Sequence, residues 1–189
     1  VFALPTLKAL AARLPQLRQS RPLPPAPQAY PRDGRPLPLS FAQQRLFFLY
    51  RLEGPSSTYN IFGAFNMDGE LDFERLQKGF AQVVARHESL RTRLVEVAGL
   101  AHQIIDPIGQ MGLSLMDLSG DETSAKALVE SEAAHRFDLA SEPLFRATLL
   151  RLAPERHILL VSMHHAISDG WSLGVLVGEI VQLYAAQPD

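Results

Sequence analysis

The chain has 189 residues, no cysteine, and 18 Lys and Arg against 20 Asp and Glu, a formal charge of −2. That charge balance argues against nucleic acid as the main partner, because phosphate binding needs a basic excess. The absence of Cys excludes disulfides, thiolate metal sites and thiol catalysis. One domain, or one with a tail, is expected at this length, and 47 % hydrophobic with 20 % charged residues is a globular composition. No apolar run reaches the roughly 18 residues of a membrane span, and the start lacks the basic flank and long apolar core of a signal peptide. A cytoplasmic enzyme is the expectation. A first residue of Val1 suits either processing or excision from a longer chain.

In chain order, Pro5 to Leu14 reads as a short helix with Thr6 as N-cap and Leu7, Leu10, Ala11 and Leu14 at helical spacing. Eight of the 14 prolines (15, 22, 24, 25, 27, 31, 36, 38) then fall within 24 residues, which reads as an extended linker. Residues 1–37 carry six basic groups against Asp33, a net +5 that leaves −7 for the remainder. Ser40 precedes a helix over Phe41–Leu52, stopped by Gly54-Pro55. Tyr59–Met67 suits a strand. Phe73 to His87 is the clearest helix, apolar at 73, 76, 80, 83 and 84, capped by Asp72 and stapled by Leu71 and Leu76. Arg91–Val97 and Ala101–Ile105 form an expected hairpin around Gly99, Leu113–Asp117 a short strand, and Ser124–His135 a polar-faced helix. Leu144–Leu152 and His157–His165 are strands joined by residues 153–156. Ile158 to Val161 is apolar at four successive positions, as in a central strand. Ser172–Ala186 closes the chain as a helix with Leu173, Leu176, Val177, Ile180, Val181 and Tyr184 inward. The fold class is α/β, a mixed β-sheet packed with helices.

Chemistry concentrates in Met163-His164-His165-Ala166-Ile167-Ser168-Asp169-Gly170-Trp171. Side chains alternate along a strand, so His165 shares a face with Val161 and Leu159 while His164 points the other way. Two diverging histidines are poor joint ligands, and no metal is expected. One imidazole is left at a strand end facing a cleft, with Asp169 in the turn before the last helix. Gly170 allows close backbone approach.

The pattern His-His-x-x-x-Asp-Gly resembles the active-site motif of condensation domains of nonribosomal peptide synthetases, which are chloramphenicol acetyltransferase-like acyltransferases. Ser40-Phe41-Ala42-Gln43-Gln44-Arg45-Leu46-Phe47-Phe48-Leu49 resembles that family's opening motif, with Phe47 where Trp is usual. Arg86-His87-Glu88-Ser89-Leu90-Arg91-Thr92-Arg93-Leu94 resembles its second motif, with Leu94 for Phe. Val1 to Ala12 is similar to the start of the last helix of a peptidyl carrier domain. The resemblance implies three parts: residues 1–14 as the end of an upstream carrier domain, 15–37 as an interdomain linker, and 38–189 as the N-terminal, chloramphenicol acetyltransferase-like lobe of a condensation domain. The family's second lobe, with its latch motif, has no counterpart here, so the fragment is expected to be inactive alone.

The activity so implied is amide formation between an upstream carrier-bound acyl or peptidyl thioester and the amine of a downstream carrier-bound aminoacyl thioester. His165 would be the catalytic residue, as general base or by positioning the amine. His164 would be a buried hydrogen-bonding group, and Gly170 would present a backbone amide near the donor carbonyl. Asp169 is either a second catalytic carboxylate or, as the family favours, an anion paired with Arg that fixes the His loop, with Arg91 as the candidate partner. Arg86 and Arg45 are further structural support, and Trp171 and Phe47 are packing residues. The intact His pair and Gly170 favour ordinary condensation over cyclisation or epimerisation, with an acceptor of two L-configured units. The expected partners are upstream and downstream carrier domains and the missing C-terminal lobe, with no nucleic acid and no membrane. No covalent cofactor is expected, because the carrier's modified serine loop is absent; phosphopantetheine would be presented by the partner carriers. The alternatives are a non-catalytic carrier-binding lobe and a coenzyme A-dependent small-molecule acyltransferase.

Overall fold

The computed structural model describes residues 6–9, 11–13, 29–30, 35–108 and 112–186. The chain divides into two units, Val1–Gly34 and Arg35–Asp189. In the first, residues 7–9 and 11–13 are helical, and the Ala9 N–H donates to Thr6 Oγ1 at 3.2 Å, the expected N-cap. Most of the Pro-rich stretch lies outside the described residues. Residues 35–37 cluster with the second unit.

The second unit holds two sheets. The smaller is ordered β1 (Leu37–Pro38), β4 (Leu100–Ile105), β3 (Thr92–Val97), all antiparallel. Pro38 is tolerated because β1 is an edge strand. Ala98 and Gly99, both at positive φ, form the two-residue turn of the β3–β4 hairpin. The larger sheet is ordered β2 (Asn60–Asp68), β7 (Arg156–His164), β6 (Phe145–Ala153), β5 (Leu113–Asp117). Only the β5–β6 pairing is parallel, so the sheet is mixed as expected. The β6–β7 connection is tighter than the sequence suggests: Ala153 and Arg156 already pair, leaving Pro154-Glu155 as the turn.

Helices cover both faces of the larger sheet. α1 (Phe41–Glu53) starts with a full capping box: Gln43 N–H donates to Ser40 Oγ, and Ser40 N–H to Gln43 Oε1. α2 (Phe73–Arg86) is capped by Asp72, which accepts from Arg75 N–H at 2.9 Å. Its apolar stripe packs with α4 (Gly170–Ala186) on Phe145, Ala147, Leu149, Val161 and Met163. The opposite face packs Leu150 and Leu160 against Ala125 of α3 (Glu122–Ala133). β7 is thus buried on both faces. A third cluster, Leu39, Phe47, Leu94, Phe137, Leu139, Leu144 and Ala166, ties α1 to the loop that follows β7. Each of its leucine and phenylalanine side chains removed from water contributes about 1.5–3 kcal/mol.

Three expectations are corrected. α3 starts and ends two residues early, because the Asp121 carboxylate reaches Ser124 N–H at 2.9 Å and so acts as the cap. Val177 and Val181, expected inward, are 40 % and 60 % exposed; Leu173, Leu176, Ile180, Leu183 and Tyr184 take the core stripe instead. Trp171, expected in the packing, is 83 % exposed on the outer side of the first turn of α4.

Candidate active site

β7 ends at His164, one residue short of the expected strand, so His165 opens the turn that follows, and backbone bonds hold both. His164 N–H donates to Leu144 O at 3.0 Å on the β6 side, and His165 N–H to Tyr59 O at 2.8 Å on the β2 side. Ile167 N–H then closes a turn on His164 O at 3.0 Å. Gln43 of α1 secures the same turn: its Nε2 donates to Ala166 O at 3.1 Å, so one side chain both caps α1 and holds the residue after His165. The first motif therefore reaches the third through Gln43, a link the sequence reading missed. The capping-box spacing of Ser40 and Gln43 was the available signal for only half of it.

Alternation separates the roles of the pair. His164 is 4 % exposed, with the rings of Tyr59 and Phe137 centred 6.4 and 6.3 Å away. Burial, and then the neighbouring His165, push its pKa down to about 4. Its Nδ1 accepts the Ala166 N–H at 3.1 Å, so the neutral ring carries its proton on Nε2. His164 is a neutral internal acceptor. His165 is exposed, and its Nδ1 lies 3.1 Å from Ser168 O. A carbonyl can only accept, so Nδ1 is the protonated nitrogen and the Nε2 lone pair is left for a reactant. The ring lines a cleft of about 580 Å³ with Ala42, Arg45 and Leu46 of α1, Tyr59, and Asp169 and Ser172 around the start of α4.

Asp169 caps α4. Its Oδ1 accepts from Ser172 N–H at 2.8 Å and Ser172 Oγ–H at 2.7 Å, and its carbonyl from Leu173 N–H at 3.2 Å. These bonds, with the Ser172 hydroxyl first, hold the carboxyl below its ordinary pKa. Gly170 is the first residue of α4, outside the positive-φ region, and a Cβ there would meet no atom within 4 Å. Neither backbone conformation nor packing within the chain calls for glycine at that point.

The expected Asp169–Arg91 pair does not form. The 3₁₀ turn Glu88–Arg91 folds Arg91 back onto the end of α2. Its guanidinium donates to three carbonyls: Val84 O at 3.1 Å, Ala85 O at 3.4 Å, and Asp106 O. The last carbonyls of a helix lack intrahelical partners, and a cation there satisfies both hydrogen bonding and the helix dipole. The carboxylate fork in this motif belongs to Arg93, which the sequence reading did not single out: it grips Asp106 through Nε at 2.7 Å and Nη2 at 2.6 Å. Arg86 and His87 meet the Glu179 carboxylate of α4 at 3.0 and 2.9 Å. Arg45 stands in the cleft wall with His165. Among the described residues no three His, Asp or Glu side chains converge on a possible metal position.

A mixed sheet whose central strand ends in a buried histidine, with an exposed histidine and a carboxylate-capped helix directly after it, defines an α/β lobe that opens one imidazole into a cleft. Residues 35–188 match the family model of the condensation domain, and the chain belongs to that family. It is 39 % identical over 190 residues to malpinin synthetase of Mortierella alpina, covering 98 % of this chain and 2 % of that protein. It is 40 % identical over 198 residues to the dimodular nonribosomal peptide synthase of Bacillus subtilis, covering 99 % of this chain and 8 % of that protein. Among solved structures, the X-domain from teicoplanin biosynthesis is similar at 28 % identity and TM-score 0.74, over 86 % of this chain and 35 % of that one. The first condensation domain of the CDA synthetase shares the fold at 22 % identity and TM-score 0.70, over 82 % and 41 %. The chain thus spans a few per cent of these curated relatives and well under half of the solved chains. No helix among the described residues is long and apolar enough to cross a membrane.

Proposed function

We propose that this chain supplies the His-bearing lobe of a cytoplasmic peptide synthetase's condensation domain, and that His165 is its catalytic residue. The observation that carries the reading is the setting of the ring: Nδ1 lies 3.1 Å from Ser168 O, a partner that can only accept, which leaves Nε2 as an acceptor in an open cleft. The amine of a downstream carrier-bound aminoacyl thioester would bond to Nε2 and attack the carbonyl of the upstream thioester. A C–N bond forms, the proton passes from nitrogen to Nε2, the C–S bond breaks, and the imidazolium returns the proton to the departing thiolate. General-base help of this kind is worth about 10²–10⁴-fold, and holding two tethered reactants together can add as much. Gly170 would lie where a substrate chain passes the start of α4, which accounts for a glycine that the chain's own packing does not demand.

Residues 1–14 would be the end of a carrier domain, 15–37 a linker and 38–189 the lobe. Relatives align along nearly the whole chain, including the part before residue 35, which supports this order. The partners would be the flanking carriers, presenting phosphopantetheine thioesters, and the remainder of the condensation domain. A second reading, a lobe that only binds carriers, draws on an exposed apolar row on α1: Phe41 (90 %), Phe48 (64 %) and Leu52 (70 %). Supplying the remainder of a condensation domain and two loaded carriers decides between them. Product detected by mass spectrometry and lost in His165→Ala supports catalysis. Carrier binding with no product from wild type supports the second reading. Turnover by chain 1–189 alone would overturn the view that it needs the rest of the domain.

A further inference from the structure

α4 presents a packing problem that its sequence makes acute. Of its 17 residues, Glu179 is the one charged side chain, and the rest is apolar or small on nearly every side. An apolar stripe ordinarily fixes a helix's rotation by contrast with a polar face. Here that contrast is weak, since Val175, Val177 and Val181 are exposed on the faces left outside while Leu176 and Ile180 are buried. With apolar residues on both its inner and outer faces, hydrophobicity alone discriminates only weakly between rotations of this helix. The carboxylate of Glu179 breaks that degeneracy. It is 22 % exposed and held by two donors from the end of α2: Arg86 Nη1 at 3.0 Å and His87 Nε2 at 2.9 Å. His87 is itself fixed as the C-cap residue of α2, its N–H on Val83 O.

We infer that Glu179 is a positioning residue for His165, acting by pinning the rotation and axial setting of α4 through Arg86 and His87. The connection is short. Ten residues, about 15 Å of helix, lead from Glu179 back to Asp169, the cap. The preceding residue, Ser168, supplies the carbonyl that holds His165 Nδ1–H. His87 also lines a cavity of about 150 Å³ whose other wall is Ser168, Trp171 and Ser172, so the clamp and the His loop are built against one another. A helix free to rotate would carry Ser168 O off the ring. Partly exposed pairs of this sort add little to stability, so the effect belongs in the geometry of the imidazole.

This inference rests on His165 as the reacting side chain, but its test reads the ring's tautomer and not turnover. It therefore stands or falls apart from the proposed reaction. ¹⁵N NMR of the full chain, at a pH where the ring is neutral, distinguishes Nδ1–H from Nε2–H. The wild-type His165 ring is expected to be mainly Nδ1–H. Glu179→Gln should lower the ratio of Nδ1–H to Nε2–H by about threefold or more, the change produced by losing orienting free energy near RT. Ile180→Val trims the packing of α4 without touching the clamp and should leave the ring as in wild type. A wild-type ring that is mainly Nε2–H, a Glu179→Gln ring unchanged from wild type, or an equal change in Ile180→Val would each overturn the inference.

Discussion

Two corners of the lobe use the same side chains to opposite ends. At the α2 corner, Arg91 is 9 % exposed and its guanidinium is spent on three main-chain carbonyls. His164, on the inner side of β7, likewise gives its acceptor nitrogen to Ala166 N–H. At the cleft, His165 has one nitrogen spent on Ser168 O and the other turned outward, with the Arg45 side chain in the same wall. A buried polar group held by hydrogen bonds helps to rigidify a fold and is costly to disturb. A polar group with one valence left over, in the open, is cheap for the fold and available to a reactant. A buried, engaged ring nitrogen and an open one are thus set on opposite sides of the chain, at residues 164 and 165.

Four variants sharpen or break that contrast. The largest effect is expected at His164. Its folded pKa is depressed to about 4, so the unfolded state binds more protons as pH falls. Its neutral form stabilises the fold fully above the unfolded value near 6.5, and that contribution is lost between about 6.5 and 4. The total is about 3 kcal/mol at 1.36 kcal/mol per unit. His164→Asn keeps an acceptor for Ala166 N–H but does not titrate, so urea unfolding from pH 7 down to 4 should lose this limb in the variant. An unaltered acid limb would place the titration elsewhere.

Arg91→Ala comes next. Hydrogen bonds to charged groups contribute about 1.5–3 kcal/mol, and the fall in urea midpoint should be of that order with the His165 ring undisturbed. A shift of the Asp169 and Ser172 amide signals in this variant would revive the pairing that the structure rejects. Asp169→Ala should cost less than Arg91→Ala, since it removes a solvent-facing cap; a loss as large would contradict that ranking. The Asp169 carboxyl is held below its ordinary pKa, so its contribution is present above the unfolded carboxylate value and fades only as pH drops through the lower folded one. Its limb lies at more acid pH than that of His164, and thermal melts across that range separate the two. Smallest is His165→Ala, expected within about 0.5 kcal/mol of wild type, as for exposed substitutions; a larger loss would make His165 a structural residue.

Much of this was legible beforehand because it is local. Ser40, Asp72 and Gly99 are read from capping and turn chemistry, and the apolar stripe of α2 from periodicity. The separation of His164 from His165 follows from strand alternation alone. What escaped was long-range. A run of arginines after α2 suits a helix-end charge cluster, but only packing says that Arg91 turns back through a 3₁₀ turn onto the carbonyls of α2, and Gln43 meets Ala166 across 123 residues. α4 misled for a physical reason: an apolar helix gives several faces of equal merit, so its sequence could not say that Leu183 would turn in and Val181 out.

The sequence by itself determined the elements and the mixed character of the larger sheet, because these follow from periods of 2 and 3.6 and from the order of strands and helices. Only the tertiary structure decided how the charged groups are paired. Asp169 went to its own helix, Arg91 to the end of α2 and Glu179 to His87, because a hydrogen bond depends on angstrom-scale positions that distant elements set jointly. The setting of the His165 ring was decided the same way, by the Ser168 carbonyl three residues on.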